Sequence, residues 1–161
     1  MPVTENDFRN AMKRWTTGVT IVTSRDGEHR VGMTVSSFTS VSVDPPVVCV
    51  SINHYSQAYA IIDHSEVFAV TVLQKKQEAI SECFAGRIPD DGDRFYGIDT
   101  FTLETGAPLI SDGIAFFDCK VTKKVTFGSN TVYFGLVLAV KHVDDNDPLL
   151  YTNRTYQSLQ K

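Results

Sequence analysis

The sequence predicts a mainly β domain with short helices, arranged as an antiparallel barrel. Seven or so strand candidates are separated by turn-forming residues, and only two or three short helical segments occur among them. Strands and helices do not alternate regularly, which argues against a doubly wound parallel sheet. A chain of 161 residues is long enough for one substantial core and too short for two ordinary domains. We therefore expect residues 1–161 to form a single domain.

The first element is predicted to be a helix. Thr4 is a good N-cap residue, and Asp7 lies three residues later, in the first turn. The apolar residues that follow share one helical face: Phe8, Ala11, Met12 and Trp15. Thr17-Gly18 ends this helix.

A hairpin and a further strand are predicted next. Alternation over residues 19–23 indicates a strand, residues 25–28 form a tight turn, and residues 29–34 are the partner strand. Asp44-Pro45-Pro46 must be a turn because proline cannot donate to a sheet ladder. The apolar run over residues 47–52 is then predicted to be a strand.

The second half continues with both helices and strands. Helices are expected over residues 57–63 and 77–84, on either side of a strand at 67–73. Residues 87–106 are rich in Gly, Asp and Pro and are predicted to be a mobile surface segment with little regular structure, able to hold a binding lid. The last third contains two long strands, 114–127 and 131–143, joined as a hairpin by Gly128-Ser129-Asn130.

Composition excludes several classes of protein. A formal net charge of -4 gives no basic surface for nucleic acid. Cys49, Cys83 and Cys119 are odd in number and widely spaced, so free thiols in a reducing, cytoplasmic compartment are expected. We find neither a leader sequence nor a segment long and apolar enough to span a membrane, so no membrane partner is expected.

Familiar catalytic motifs are missing from the sequence. It has no dinucleotide-binding glycine motif, phosphate loop, zinc-protease motif or nucleophile elbow. The histidines lie far apart in sequence, so surface positions are favoured over a metal site: His29, His54, His64 and His142. The acidic runs at 90–93 and 144–147 lack a full calcium-ligand pattern and are interpreted as solvated turns. Neither a metal nor a catalytic acid or base is therefore predicted.

The hydroxyl-rich segment that follows the first hairpin is the strongest functional signal. Six Ser and Thr residues lie between Thr34 and Ser42, just before Pro45-Pro46. Small hydroxyl groups and backbone N–H groups can bind a phosphate or the polar edge of a planar ring, against which Phe38 could pack. The alternative is a strand with one solvent-facing polar side.

The hydroxyl-rich segment is one of a series of short, ordered segments that extends along nearly the whole chain. They are Phe8–Met12, Thr17–Thr23, Gly32–Phe38, Ser40–Ser42, Pro45-Pro46, Val50–Ile52, Phe84–Gly86 and Pro148–Tyr151. In this order they resemble the short-chain flavin reductases that supply reduced flavin to two-component monooxygenases. The resemblance implies the FMN-binding split-barrel fold, an antiparallel split β-barrel. It also implies an NAD(P)H:flavin oxidoreductase that transfers hydride to N5 of FMN or FAD, with NADH or NADPH as donor.

The resemblance implies a flavoprotein site built from three segments. The first wraps the isoalloxazine ring and comprises Gly32, Met33, Thr34, Val35, Ser36, Ser37 and Phe38, among which Thr34, Ser36 and Ser37 offer hydrogen-bond donors. The second contacts phosphate and comprises Ser51, Asn53 and Ser56. The third packs on the cofactor and comprises Phe84, Ala85 and Gly86. Arg87 follows, either approaching the phosphate or lying in the loop as a solvated cation.

The implied nicotinamide or substrate-binding residues are Asn130, Tyr151 and Tyr156. Many family members have a Gly-Asp-His turn where this chain has Gly128-Ser129-Asn130. Asparagine can hydrogen-bond a carboxamide but cannot become cationic. Hairpin geometry is an alternative reason for Gly128 and Asn130, and the two tyrosines can equally close the core.

The resemblance also implies a homodimer that completes the pocket and a separate flavin-dependent monooxygenase that receives reduced flavin. A non-reductase FMN-binding protein on the same fold is the alternative that the Gly128-Ser129-Asn130 turn motivates. A small barrel that serves as an interaction or scaffolding subunit is a third hypothesis. The choices between FMN and FAD, between NADH and NADPH, and between bound and diffusing flavin stay open at this point.

Overall fold

A computed structural model describes residues 1–87 and 92–160 of the chain. The helices are α1 (Glu5–Met12), α2 (Gln57–Ser65) and α3 (Glu78–Phe84), and a 3₁₀ turn at Lys75–Gln77 precedes α3. The strands are β1 (Thr17–Gly18), β2 (Thr20–Asp26), β3 (His29–Val35), β4 (Thr39–Ser42), β5 (Val47–Asn53), β6 (Val67–Val72), β7 (Thr100–Phe101), β8 (Leu109–Ile110), β9 (Ala115–Phe127), β10 (Asn130–His142), β11 (Leu150–Thr152) and β12 (Thr155–Gln157).

Seven of these strands form the main sheet, in the order β3-β2-β6-β9-β10-β5-β4. Every pairing within it is antiparallel. Two small sheets, β1-β11-β12 and β7-β8, lie beside it. The predicted fold class, mainly β with short helices and antiparallel pairing, is confirmed.

The core shows that the main sheet is rolled. Val31 and Val35 of β3, at one edge, share one buried cluster with Val48, Val50 and Ile52 of β5, near the other edge. Side chains from opposite edges of a flat sheet could not meet in this way. The rolled sheet therefore encloses its own core, as expected for a split barrel.

Helix α1 begins at its predicted N-cap but makes little contact with the core. The Thr4 hydroxyl accepts the Asp7 N–H at 3.1 Å and donates to the Asp7 carboxylate at 2.6 Å. The apolar face of α1 is nonetheless exposed: none of its residues is buried, and Trp15, just beyond the helix, is 68% exposed. None of the three helices in the described part of the chain is long and apolar enough to cross a membrane.

Both predicted hairpins form, with tighter turns than the sequence suggested. Strand β2 continues to Asp26, which pairs with His29, so the turn is only Gly27-Glu28. Asn130 likewise pairs with Phe127, which leaves Gly128-Ser129 as the second turn. Gly27 and Gly128 both have φ near +55°, a left-handed conformation that glycine adopts without strain.

The predicted irregular segment over residues 87–106 lies partly outside the described residues, at 88–91. Of the remainder, only β7 is regular. Phe95 anchors this segment, because it is buried and its ring meets that of Phe84 edge-on at 5.1 Å. Arg94 also donates to the Phe84 carbonyl at 3.2 Å. Arg94 and Phe95 are thereby fixed against the C-terminal end of α3.

The three cysteines are free thiols, as predicted. Cys119 is fully buried, and Cys49 and Cys83 are partly buried. Burial, with a smaller contribution from the Asp118 carboxylate, raises the pKa of Cys119 from 9.0 to about 12. Burial also raises the pKa of Cys49.

We expect Cys119 to resist alkylation in the folded protein. Each unit of raised pKa removes tenfold of the reactive thiolate, so its modification should be roughly a thousandfold slower than after unfolding in urea. Iodoacetamide labelling followed by peptide mass spectrometry measures this directly. Labelling of Cys119 as fast as that of Cys83 in the folded protein would contradict the buried position.

Candidate functional site

A cleft opens between the end of β3, the C-terminal end of α3 and the β11–β12 hairpin. Its volume is about 180 Å³. It is lined by Val19, Thr34, Val35, Ser36, Ser81, Ala85, Arg87, Tyr151 and Tyr156. We call it the main cleft. Seven of these residues are sequence-predicted site residues, all except Val19 and Ser81. They meet here because β3, the end of α3 and the C-terminal hairpin each contribute one wall.

A glycine makes the approach of β3 to α3 possible. A Cβ atom at Gly32 would lie 2.6 Å from Cε1 of Phe84, closer than two carbon atoms can pack. Two residues further along β3, the Thr34 hydroxyl donates to the Ser81 carbonyl of α3 at 2.6 Å. Gly32 and Phe84, both predicted site residues, therefore lie behind the cleft and set its width.

A hydrogen-bonded network crosses the mouth of the main cleft. The Glu82 carboxylate accepts from the Tyr156 hydroxyl and, at 2.8 Å, from Nη1 of Arg87. Nη2 of Arg87 donates to the Tyr151 hydroxyl at 3.2 Å. Ser81 Oγ lies 2.8 Å from the Tyr156 hydroxyl. The network joins the end of α3 to both strands of the C-terminal hairpin.

This network raises the pKa values of two of its members, Tyr156 and Arg87. Burial, followed by the hydrogen bond to Glu82, raises the pKa of Tyr156 to about 12. Its hydrogen bond to Tyr151, and then that to Glu82, raises the pKa of Arg87. Tyr156 is therefore a neutral donor and Arg87 a cation across the physiological range. Sequence analysis did not identify Glu82 or Ser81.

A second polar cluster lies beside the main cleft. Ser37 Oγ lies 3.1 Å from the Ser51 carbonyl, to which it donates, and it accepts the Ser51 N–H at 3.0 Å. Asn130 Nδ2 donates to Ser51 Oγ at 3.2 Å, and Asn53 Nδ2 donates to Asn130 Oδ1 at 3.3 Å. The sequence-predicted phosphate and nicotinamide residues Ser51, Asn53 and Asn130 therefore meet in one cluster.

Some predicted donors already have acceptors within the protein. The hydroxyl protons of Thr34 and Ser37 are directed to backbone carbonyls. Ser56 is the N-cap of α2: its hydroxyl donates to the Asn53 carbonyl at 2.8 Å and accepts the Tyr59 N–H at 3.2 Å. Ser36, exposed at the cleft, is left as the most accessible hydroxyl of the segment.

The other predicted residues support the site from behind. Met33 and Phe38 are partly buried against the barrel core, and the Phe38 ring lies 5.1 Å from that of Phe117. Gly86 follows α3 with a φ of +73°, a conformation that suits glycine after a helix. Ala85 and Arg87, on either side of Gly86, both line the main cleft.

A larger cleft adjoins the main one. Its volume is about 380 Å³, and it is lined by Met12, Lys13, Trp15, Thr17, Ser36, Ser37, Tyr151, Thr152, Asn153 and Arg154. We call it the side cleft. The two clefts share Ser36 and Tyr151 and so form one continuous surface. Binding sites for small molecules usually measure about 300–1,000 Å³, a range that the main cleft reaches only together with its neighbour.

The chemistry of the joined clefts suits a planar ring with an anionic tail. Val19 and Val35 give apolar contact, Tyr151 and Tyr156 give aromatic contact with their rings 5.3 Å apart, and Arg87 gives a positive charge. Within residues 1–87 and 92–160, no group of three acidic, histidine or cysteine side chains is placed to hold a metal ion.

Comparison with known proteins identifies the family to which the chain belongs. The model of the flavin reductase-like domain matches residues 12–160. The chain is 38% identical over 157 residues to FMN reductase (NADH) RutF of Bradyrhizobium diazoefficiens, an alignment that covers 98% of this chain and 87% of that protein.

Two solved structures share the fold over nearly their whole length. One is the NADH:FAD oxidoreductase SgcE6 of Streptomyces globisporus in complex with NAD and FAD fragments, with a TM-score of 0.89, 29% identity, and coverage of 99% of this chain and 97% of that one. The other is the styrene monooxygenase flavin reductase SMOB of Pseudomonas putida S12, with a TM-score of 0.85, 29% identity, and coverage of 96% and 98%. Together with the family match, they establish that this chain belongs to the flavin reductase-like domain family.

Proposed function

We propose that this protein is an NADH-dependent flavin reductase that reduces FMN or FAD and passes the reduced flavin to a separate monooxygenase. The observation that carries the proposal is the main cleft, in a chain whose relatives include an FMN reductase (NADH) and the flavin reductase of a styrene monooxygenase. The open side of the cleft agrees with a flavin that enters and leaves during turnover.

The residues of the main cleft fit a flavin. Val19 and Val35 present an apolar wall to a ring face, while Ser36 offers a hydroxyl to its polar edge. Arg87, which is paired with Glu82 at 2.8 Å, supplies the positive charge nearest to the expected position of a flavin phosphate. When bound, flavin supplies the redox chemistry by accepting at N5 the hydride, with its electron pair, that the nicotinamide C4–H bond loses.

This chain has only to bind, orient and exclude water for such a transfer. The network of Glu82, Arg87 and Tyr156 fixes the positions of the cleft walls, and preorganised positioning is a large part of the rate enhancement in reactions of this type. No proton needs to be removed by a side chain. The proposed reaction therefore requires no catalytic acid or base from this chain.

Steady-state kinetics test the proposal. Purified protein is mixed with NADH or NADPH and with FMN, FAD or no flavin, and nicotinamide oxidation is followed. We expect turnover with NADH that depends on added flavin. A protein that holds FMN but does not oxidise nicotinamide would identify the alternative, a non-reductase FMN-binding protein. A colourless protein whose melting temperature flavin does not raise would favour an interaction subunit.

The charge of Arg87 gives a specific prediction. Replacing Arg87 by alanine should raise the KM for FMN by roughly tenfold or more, because hydrogen bonds to charged groups contribute about 1.5–3 kcal/mol. Riboflavin has no phosphate, so its KM should change much less. Lys120→Ala, which removes an exposed cation from β9, is the matched control. Equal effects on FMN and riboflavin would show that Arg87 does not contact the phosphate.

We also place Asn130 near the nicotinamide. Its amide belongs to the cluster with Ser51 and Asn53, which reaches the side cleft through Ser37. Asparagine keeps the ability to bind a carboxamide but brings no positive charge. This agrees with a nicotinamide that binds and leaves at each turnover.

A homodimer is the proposed assembly, and exposed apolar side chains near one edge of the main sheet support it. Strands β4 and β10 flank β5, and they expose Val41, Val43, Leu138 and Val140 on or next to these strands. Val43 is 88% exposed. Exposed apolar surfaces of this kind commonly mark contacts between proteins.

The free cysteines are consistent with a cytoplasmic location.

We expect the double variant Val43→Lys/Val140→Lys to be monomeric while the wild type is dimeric, because the contact between the two copies would then bury lysine charges without partners. Sedimentation velocity measures the state of each. A wild type that sediments as a monomer at micromolar concentration would contradict this assembly.

A further inference from the structure

The positive charge of the main cleft is already paired within the protein. Among the described residues that line this cleft, Arg87 is the only charged one. Nη1 of Arg87 donates to Oε1 of Glu82 at 2.8 Å, and Glu82 itself does not line the cleft. A flavin phosphate that approaches Arg87 therefore meets a guanidinium that a carboxylate of the protein already holds.

The guanidinium of Arg87 is divided between two partners. Nη1 faces Glu82, whereas Nη2 donates to the Tyr151 hydroxyl at 3.2 Å. Arginine binds a carboxylate or a phosphate most strongly when two parallel N–H groups meet two oxygens of the same group. The contact with Glu82 uses one donor and one oxygen, so a phosphate that accepts from both ends of the guanidinium forms the stronger pair.

Exposure to solvent makes this ion pair exchangeable. The Arg87 side chain is 53% exposed and the Glu82 side chain is 26% exposed. Water and salt screen ion pairs at such positions, and these pairs typically shift an equilibrium by roughly fivefold at most. The pair is weak enough for a flavin phosphate to displace Glu82, yet each displacement costs the energy of the pair. Glu82 is thus a competitor for the charge that Arg87 offers to a ligand.

The wall of the main cleft has contacts that do not involve Arg87. Oε1 of Glu82 also accepts the Tyr156 hydroxyl, and Ser81 Oγ lies 2.8 Å from the same hydroxyl. These contacts continue to hold the C-terminal hairpin to α3 when Arg87 turns toward a ligand. Glu82 can therefore release and recapture Arg87 without a rearrangement of the fold.

We propose that Glu82 is a positioning residue that competes with the flavin phosphate for Arg87 and so keeps the flavin exchangeable. In the free protein Arg87 pairs with Glu82 and Tyr151. In the complex it turns to the phosphate of FMN or FAD, and Glu82 recaptures it as the flavin leaves. This proposal rests on the proposed function, because a reductase that passes its flavin to a separate enzyme must release it. It favours a diffusing flavin over a permanently bound one.

Flavin binding in the absence of NADH tests this competition. The fluorescence of FMN, FAD and riboflavin is titrated with the wild type and with Glu82→Gln, which loses the charge but keeps an oxygen to accept from Tyr156. We expect Glu82→Gln to bind FMN, FAD or both about three- to fivefold more tightly, and riboflavin, which has no phosphate, with unchanged affinity. The flavin that gains affinity identifies the phosphate that Arg87 receives. Unchanged or weaker binding of both phosphorylated flavins, the result expected of a purely structural Glu82, would overturn the proposal, as would an equal gain for riboflavin.

Further variants show whether the effect passes through Arg87. Glu78→Gln is the matched control, because Glu78 is an exposed carboxylate one turn earlier in α3, and its flavin affinities should equal those of the wild type. Glu82→Met keeps the side-chain length without the charge and should show the same gain as Glu82→Gln. In an Arg87→Ala background, Glu82→Gln should change the affinity for the phosphorylated flavins by less than about 1.5-fold. A full gain in that background would show that Glu82 repels the phosphate directly and would overturn the exchange.

Turnover separates this proposal from the proposed function. With saturating NADH, Glu82→Gln should have a lower KM for the flavin that it binds more tightly, and stopped-flow dilution should show this flavin leaving about three- to fivefold more slowly. A wild type that binds and reduces flavin, beside a Glu82→Gln variant of wild-type affinity, would overturn the competition alone. A gain in affinity in a protein that oxidises no NADH would count against the proposed function and leave the competition in place. A wild type that binds no flavin would overturn both.

Discussion

Replacing Phe84 by alanine should lower the free energy of unfolding by about 3–5 kcal/mol, the usual cost of removing a buried phenylalanine. Phe84 is 1% exposed and packs in a cluster with Ile21, Leu73 and Phe95, among others. Because this cluster joins β2, α3 and the segment around Phe95, the cavity left by the truncation cannot close without moving the wall of the main cleft. Urea denaturation followed by circular dichroism measures the loss.

The control for this prediction is Phe127→Ala. Phe127 lies at the end of β9 and is 73% exposed, so its truncation should cost less than about 1 kcal/mol. Equal losses for the two variants would show that Phe84 does not pack as described.

Introducing a methyl group at Gly32 should damage both stability and function. The new Cβ would lie 2.6 Å and 2.8 Å from two atoms of the Phe84 ring. The ring is held edge-on by Phe95 and cannot simply rotate away. Overpacking of this kind costs about 1–3 kcal/mol. Because α3 carries Ser81 and ends next to Ala85, we expect a displacement of the cleft wall of about 1 Å and a loss of roughly a hundredfold in kcat/KM for FMN.

Gly18→Ala is the matched control for Gly32→Ala. Gly18 also lies in a strand, and a Cβ there would meet nothing within 4 Å. Its alanine variant should keep wild-type stability and activity. Gly32→Ala/Phe84→Leu should recover part of the stability lost in Gly32→Ala, since leucine lacks the ring atoms that clash. A Gly32→Ala variant as stable and active as Gly18→Ala would refute the close approach of β3 to α3.

Much of the fold follows from local patterns in the sequence. The Thr4 cap, the Pro45-Pro46 turn and the long β9–β10 hairpin all form where they are predicted. These features depend on neighbouring residues, which the sequence displays directly. The rolling of the sheet is different, because it brings β3 and β5 together across the core. Such contacts between distant segments leave no local pattern.

The site was predictable only in part, for the same reason. The hydroxyl-rich segment and the Phe84–Gly86 segment stand out in sequence. The structure places Thr34, Ser36 and Ala85 on the main cleft and Phe84 directly behind it, whereas the second half of the hydroxyl-rich segment forms β4. Glu82 gave no signal, because a single glutamate on a short helix is most often solvated. It becomes part of the site only when the C-terminal hairpin brings Tyr156 to it from 74 residues away.

Anaerobic mixing of the protein with NADH and FMN tests the central claim most directly. In the absence of oxygen, one equivalent of NADH should bleach the visible absorbance of one equivalent of FMN at a rate that saturates with NADH and is far above that of the mixture without protein. Gly32→Ala should slow this bleaching strongly, and Gly18→Ala should not. Oxidised flavin that persists in the presence of protein and excess NADH would contradict the proposal that this cleft carries flavin reduction.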